Sequence, residues 1–295
     1  MKIGFIGAGR VGCTMGKFLK DTGYEIVGFF DINPGFAREA AHFTDTLFYM
    51  NPEDLLRDSE MIFLTVSDSA IEQVYGSLPK SLLKGKILCH TSGAMTSSVF
   101  TDSDKWEIYG YSVHPIYAVS DRFDSYKNFH NAFITIEGSR DRLEEVRSIF
   151  ETAGLKTTVI SSDNKAKYHA AAATASNLVC GIYGLAERLL VESGFSEEDA
   201  GIAFRGLFID NAKGIAEKGV VSQLTGPVER NDVVTVRKHL DCMDKDDALV
   251  YRAVSQEVLK IAKVKNPDID YSEMYSELVI SDELNDTLND NSFGK

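Results

Sequence analysis

Near the start of the chain, Gly7-Ala8-Gly9-Arg10-Val11-Gly12 forms a G-x-G-x-x-G loop. Residues of this type at this spacing bind a dinucleotide. Gly7 suits a tight turn, Gly9 lets a pyrophosphate approach the backbone, and Gly12 lets the following helix pack on its strand. The helix start adds free N–H groups and a positive dipole for the phosphates. Asp31, nineteen residues after Gly12, stands where an acid accepts the adenosine ribose hydroxyls and repels a 2′-phosphate. That leans toward NAD over NADP, while Arg10 inside the loop and Arg38 beyond Asp31 keep NADP open. The competing readings are a glycine-rich turn without a nucleotide and, for Asp31, a loop acid or helix cap.

Further polar residues follow apolar runs, at the strand ends where open α/β sheets bind ligands. Ser67 and Asp68 end the run 61–66, near where a nicotinamide ribose would pass. In His90-Thr91-Ser92-Gly93-Ala94, Ser92 and the Gly93 backbone can hold a substrate carboxylate or the nicotinamide side; a plain turn is the alternative. His114 is a natural proton donor near neutral pH, or else a turn histidine. His169, Ala173 and Asn177 are spaced i, i+4 and i+8, on one helix face. The small residue between leaves room for a substrate. Asn177 then reads as a donor to its carbonyl and His169 as a proton source, against a buried polar pair that fixes packing. Arg230 offers the planar fork that pairs with a carboxylate, or serves as a salt bridge. A small anionic substrate needs such a group, because the chain carries a net charge of -13.

Positioning these residues requires a sheet first and helices after it. Strand-like runs at 2–6, 25–30, 61–66, 87–90, 108–113, 132–136 and 157–160 alternate with helical stretches such as 69–75 and 140–153. The run 61–66 is apolar throughout, as in a strand covered on both faces. The alternation implies an α/β fold: an N-terminal Rossmann, doubly wound parallel sheet over 1–162, followed by an all-helical C-terminal domain over 163–295. One long helix is expected over 166–193, then helices over 200–214, from the Asn231-Asp232 cap to residue 240, and over 248–264. The Ala-rich 170–176 segment can pack closely, which suits a homodimer. In 266–295 eight acids face one base, Lys295, and the stretch reads as a solvated, frayed tail.

Composition narrows the classes further. Asp plus Glu total 44 against 31 Lys plus Arg, which argues against a nucleic-acid partner. No run of eighteen apolar residues suggests a membrane span, and the start of the chain has no secretory pattern. Cys13, Cys89, Cys180 and Cys242 form no C-x-x-C pair. No metal site or disulfide framework is indicated, and a cytoplasmic location is expected.

The segments 7–12, 90–94, Ser-Val-His-Pro (112–115), Tyr-His-Ala-Ala-Ala (168–172) with Asn177, and Leu-Thr-Gly-Pro-Val-Glu-Arg-Asn-Asp (224–232) occur in this order. In this the chain resembles the Rossmann-like oxidoreductases with a DUF2520 C-terminal domain. That group is similar to the 6-phosphogluconate, 3-hydroxyacid, ketopantoate and pyrroline-5-carboxylate reductase superfamily. The resemblance implies an NAD(P)-dependent oxidoreductase acting on a CH-OH/C=O group, with ketopantoate as the best single substrate. The alternatives are an imine reductase like pyrroline-5-carboxylate reductase and a non-catalytic nucleotide-sensing protein. The superfamily pattern also places a Lys four residues before the helix Asn. Here that residue is Ala173, so Lys165 or Lys167 replaces the base, or both are solvated helix-start lysines.

Overall fold

The computed structural model describes residues 1–279. Eight strands form one sheet: β1 (Lys2–Ile6), β2 (Glu25–Phe30), β3 (Leu47–Phe48), β4 (Met61–Leu64), β5 (Ile87–His90), β6 (Tyr109–Ile116), β7 (Phe133–Gly138) and β8 (Lys156–Val159). Their order is β3-β2-β1-β4-β5-β6-β7-β8, parallel throughout except for the antiparallel β6–β7 pair. The helices interleaved with them are α1 (Arg10–Asp21), α2 (Pro34–Thr44), α3 (Pro52–Asp58), α4 (Asp68–Ser77), α5 (Lys80–Leu83) and α6 (Leu143–Thr152).

The period of two along each strand sends alternate side chains to opposite faces, so each apolar run builds two layers. Phe5, Met61, Phe63, Ile87 and Cys89 pack with Met15 and Leu19 of α1 and Phe150 of α6. Ile6, Ile62, Leu64 and Leu88 pack with Leu55 of α3, Ile71 and Tyr75 of α4 and Leu83 of α5. This is the doubly wound arrangement. The order reverses at β1, which pairs with β2 on one side and β4 on the other. The crevice beyond the carboxyl ends of β1 and β4 is therefore where a ligand belongs.

The chain divides into two compact units, Met1–Leu178 and Val179 onward. The sheet unit thus keeps α7 (Lys165–Thr174) and extends past residue 162, the end expected from the sequence. Two contacts hold α7 there: Lys165 Nζ to Ser112 Oγ at 2.6 Å, and Tyr168 Oη with His114 Nδ1 at 2.6 Å. The second unit holds α9 (Glu197–Ala203), α10 (Arg205–Lys218), α11 (Val220–Gln223), α12 (Val233–Asp241), α13 (Lys245–Lys265) and α14 (Ser272–Leu278). Its core gathers Val236 and Leu240 of α12, Leu259 and Ala262 of α13, and Met274 and Leu278 of α14.

Three sequence expectations are corrected. The helix expected over 200–214 is two helices, α9 and α10, parted by a turn at Phe204. The single helix over 166–193 is two helices, α7 and α8 (Asn177–Glu192), parted by a turn at Ala175 and Ser176. Thr174 Oγ1 donates to the Ala170 carbonyl at 2.8 Å and Ser176 Oγ to that of Ala172 at 2.7 Å. Hydroxyls that bond back to i−4 carbonyls bend helices. The stretch from 266 is also not a frayed tail as far as 279. Tyr271, Met274 and Leu278 are buried, because α14 has an apolar stripe that the acids around it obscure. Asp282, Glu283, Asp286 and Asp290 lie outside the described residues.

Candidate active site

The glycine-rich loop joins β1 to α1. Gly7 adopts φ 103°, and a Cβ there would lie 2.7 Å from the Thr65 backbone. A Cβ on Gly12 would lie 2.4 Å from the Gly7 carbonyl oxygen, whereas one on Gly9 would meet nothing within 4 Å. Two glycines are thus demanded by packing, while Gly9 borders open space. That space is a cleft of about 600 Å³ lined by Gly7, Gly9, Asp31, Phe36, Val66 and Ser67, among others. Thr65, at the end of β4, donates its hydroxyl to the Gly7 carbonyl at 2.6 Å and fixes the turn from below.

Asp31 is half-buried at the end of β2. Its Oδ2 accepts the Ala8 N–H at 2.7 Å and its Oδ1 the Asn33 N–H at 2.8 Å. Each oxygen keeps further lone-pair capacity, so the acid holds the loop and can still accept hydroxyls. Arg10 is exposed at the start of α1, and Val11 is partly buried against the core. The Arg38 guanidinium sits 5.1 Å from the centre of the Phe48 ring. The loop, the open face of Gly9, the α1 N-terminus and Asp31 fit a dinucleotide.

A second cluster lies at the ends of the neighbouring strands and is linked to this cleft through Ser67 and Asp68. Ser67 lines the cleft, and the next residue, Asp68, accepts the Ser92 hydroxyl at 2.6 Å. Ser92 is buried, and its oxygen also accepts the N–H groups of Ala94 and Met95 at 3.2 and 3.0 Å. Its hydroxyl capacity is therefore filled by Asp68 and the turn. Gly93 is the member of that pair that meets the histidines. A Cβ on it would lie 2.5 Å from His169 Nδ1 and 2.9 Å from His114 Nε2. The two imidazoles converge over a residue whose Cβ would crowd both rings, with ring centres 6.2 Å apart and planes at 80°.

His114 shares its Nδ1 with the Tyr168 hydroxyl at 2.6 Å. Burial, reinforced by the Lys165 charge, lowers its pKa to about 4, so the ring is neutral near pH 7. Burial raises the Tyr168 phenol. His90 is fully buried, with Nδ1 accepting the Ser92 N–H at 3.2 Å and Nε2 facing the Thr96 carbonyl at 3.2 Å. Burial holds its pKa down to about 4, and it serves the turn.

Lys165 has a side chain of unusual placement. Only 1% of it is exposed, and its ammonium donates to Ser112 Oγ, which donates onward to the Ser92 carbonyl at 3.0 Å. Burial lowers its pKa to about 8, with Glu137 and Asp68 opposing. Glu137 is buried across the ladder from Ser112 and accepts the Ser97 N–H and hydroxyl at 2.7 and 2.9 Å. Of the two readings for this lysine, the solvated one is corrected. The helix starts against the sheet, so its first side chain points inward. Lys167 is exposed.

The structure therefore brings together Asp68, Ser92, Gly93, His114 and His169, and joins to them Lys165 and Tyr168. The i, i+8 argument for Asn177 fails with the break in the helix. Asn177 is exposed at the first position of α8, and its Oδ1 lies 3.0 Å from the Ser176 Oγ. Arg230 is exposed in the second unit, beside Glu229 and Asp232 in its own loop, and Asp232 caps α12 by accepting the Thr235 N–H at 3.1 Å. Thr65 and Tyr168 escape a reading based on spacing. Their partners are 58 and 54 residues away.

Comparison with protein-family models matches a Rossmann-like domain over residues 1–115 and DUF2520, a domain of unknown function, over 132–258. Among curated proteins no sequence matches significantly. A solved protein of Thermotoga maritima is similar at 24% identity and TM-score 0.72, over 90% of this chain and 99% of its own. A reductive aminase of Aspergillus terreus, solved with NADPH and ethyl-5-oxohexanoate, is similar at 13% identity and TM-score 0.60, over 88% and 93%. Pyrroline carboxylate reductase of Plasmodium falciparum, solved with NADP, is similar at 13% identity and TM-score 0.58, over 95% and 98%. These likenesses establish a common fold.

Proposed function

From a chain that joins a Rossmann-like domain to a DUF2520 domain, we propose an NAD(P)-dependent reductase that acts on the carbonyl of a small anionic keto acid. A nicotinamide dinucleotide, when bound, supplies the hydride. The Gly7–Gly12 loop and the α1 N-terminus would hold its pyrophosphate, Asp31 the adenosine ribose, and Ser67 would stand beside the nicotinamide ribose.

The observation that carries the carbonyl reading is the Tyr168–His114 pair facing Gly93. A carbonyl that receives hydride becomes an alkoxide and needs a proton. With Tyr168 donating to Nδ1, the neutral imidazole carries its own proton on Nε2, the nitrogen nearest Gly93. His114 gives that proton to the oxygen as its Nδ1 takes one from the phenol, and Tyr168 regains its proton from water before the next turnover. The buried Lys165 ammonium favours the negative charge that develops during the step. The keto acid of choice is ketopantoate, following the family resemblance.

A second reading is reduction of a C=N bond. It is supported by the likeness to the reductive aminase and the pyrroline carboxylate reductase and by the exposed Asp68 carboxylate beside Ser92, which suits a cationic iminium. Such a substrate arrives protonated and makes the His114 proton unnecessary. Oxidation of NADH and NADPH against a panel of 2-keto acids, ketopantoate first, and of cyclic imines separates the two. Turnover of imines alone overturns the carbonyl reading, and cofactor binding with no turnover on either arm favours a nucleotide sensor.

We also propose that the protein works as a homodimer. The reading is supported by the outward Ala170, Ala171 and Ala175 and by an apolar groove that includes Ile182, Tyr183, Leu207 and Phe208, with Leu207 68% exposed. Sedimentation of a monomer at micromolar concentration would refute it.

A further inference from the structure

The connection from β6 to β7, residues 117–132, is built to present one side chain. Asp121 shapes its start by accepting the Phe123 and Asp124 N–H groups at 2.7 and 2.8 Å, while its own N–H is donated to Ser125 Oγ at 3.0 Å. The far end is pinned to α1 by Phe129, which packs edge-on against Phe18 with ring centres 5.2 Å apart. Between these anchors Arg122 turns back across the sheet, its side chain only 16% exposed.

The Arg122 guanidinium reaches two walls of the cofactor cleft at once. Its Nε donates to the Ala8 carbonyl at 2.8 Å, inside the glycine-rich loop, and its Nη2 to the Phe36 carbonyl at 2.7 Å, in α2. Its Nη1 pairs with Glu39 one turn along α2. The plane also stacks on Phe36, with 4.5 Å from the guanidinium carbon to the ring centre, and Phe36 lines the cleft. Ala8 is thereby gripped on both sides, its N–H by Asp31 and its carbonyl by Arg122. In a planar trans peptide the Gly9 N–H points opposite to the Ala8 carbonyl. Fixing one fixes the other.

We propose that Arg122 is a positioning residue for the dinucleotide: by holding the Ala8 carbonyl it sets the direction of the Gly9 N–H and hence the affinity for a pyrophosphate. The inference rests on the dinucleotide reading of the cleft. Glu39 takes up the cation's charge, so the effect is one of orientation and not of net charge. Orientation depends on the fork of Arg, which a lysine lacks.

The test is a fluorescence titration of the full chain with NADH and NADPH, with melting temperatures recorded in parallel. Arg122→Met is expected to weaken binding of both cofactors by roughly tenfold, the value of one oriented hydrogen bond. Arg122→Lys keeps the charge and is expected to bind as weakly as Arg122→Met. Glu39→Gln removes the ion pair, leaves the fork in place and is expected to bind within about twofold of wild type. Binding at the wild-type level by Arg122→Lys, or a loss of about tenfold in Glu39→Gln, would overturn the orientation argument. Those two variants decide the matter even if Arg122→Met does not fold. Unchanged binding in Arg122→Met, with wild type binding normally, refutes the proposal alone. Failure of wild type to bind either cofactor removes the dinucleotide reading and the proposal together.

Discussion

One methyl group at Gly93 tests the convergence of the two imidazoles. The Cβ of Gly93→Ala would stand 2.5 Å from His169 Nδ1 and 2.9 Å from His114 Nε2, where ordinary contact begins at 3.4 Å. The rings must retreat by about 0.9 and 0.5 Å respectively to reach that contact. His169 is exposed and moves cheaply. His114 is held by Tyr168, so its shift lengthens or tilts a 2.6 Å hydrogen bond. Stability should fall by less than about 1 kcal/mol, because the obstructing atoms are ends of side chains and not backbone. A misplacement of about 1 Å among reacting groups costs on the order of 10² in rate. His114, the proton donor, moves by only about half of that distance, so the variant is expected to melt near wild type, to bind NADH equally well by fluorescence, and to lose about one order of magnitude in kcat on the best substrate of the panel. A folded Gly93→Ala that binds cofactor and keeps kcat within about twofold would show that no reaction occurs at these rings.

The pH profile gives a second check. His114 is held down to about 4 and Lys165 to about 8, so kcat/KM should be flat through 6.5 and bend near those two values, and a bend at 6.5 would contradict a neutral, half-buried His114. In stability, the unfolded chain protonates His114 near 6.5 and the folded one only near 4, so this group's contribution rises with pH across that window and is lost as pH falls through it; His114→Asn should flatten that part of the melting curve. Lys165→Met removes a cation whose folded pKa lies below its usual 10.5, so the variant should melt no lower at pH 7 in thermal denaturation, yet lose the alkaline bend. Gly9→Val meets no protein atom near its Cβ and should fold normally while losing NADH and NADPH binding in titrations; intact binding would remove the dinucleotide assignment. Asp31→Ser is expected to shift a wild-type preference for NADH toward NADPH, and a wild-type preference for NADPH would overturn that role for the acid.

The sheet was legible because its signals are local. Each apolar run of four to eight residues carries its own evidence of burial, and the fingerprint joins β1 to α1 within six residues. Asn33-Pro34 and Asn51-Pro52 also spell helix starts, and both caps form, accepting from Gly35 and Asp54; composition-led reading passes over them. β3 leaves no trace because it is two exposed residues long. The break after α7 is hidden by the strong helix propensity of the alanines, and only the hydroxyls of Thr174 and Ser176 hint at it. The site divides the same way. His114 and Gly93 stand out as strand-end residues, while Tyr168 and Arg122 gain meaning from partners far along the chain, through pairings that no spacing rule encodes.

The reversal of β7 frees its approach from the geometry of a parallel sheet. A parallel neighbour would need a crossover helix to carry the chain back to the opposite edge. Here β6 and β7 run antiparallel, and the intervening segment stays at the end of the sheet where the cleft opens. Its length and composition can drift without disturbing a single ladder hydrogen bond. Insertions or substitutions between residues 117 and 132 thus offer a route to retune cofactor retention independently of the chemistry at Gly93, a separation useful to both natural divergence and laboratory evolution.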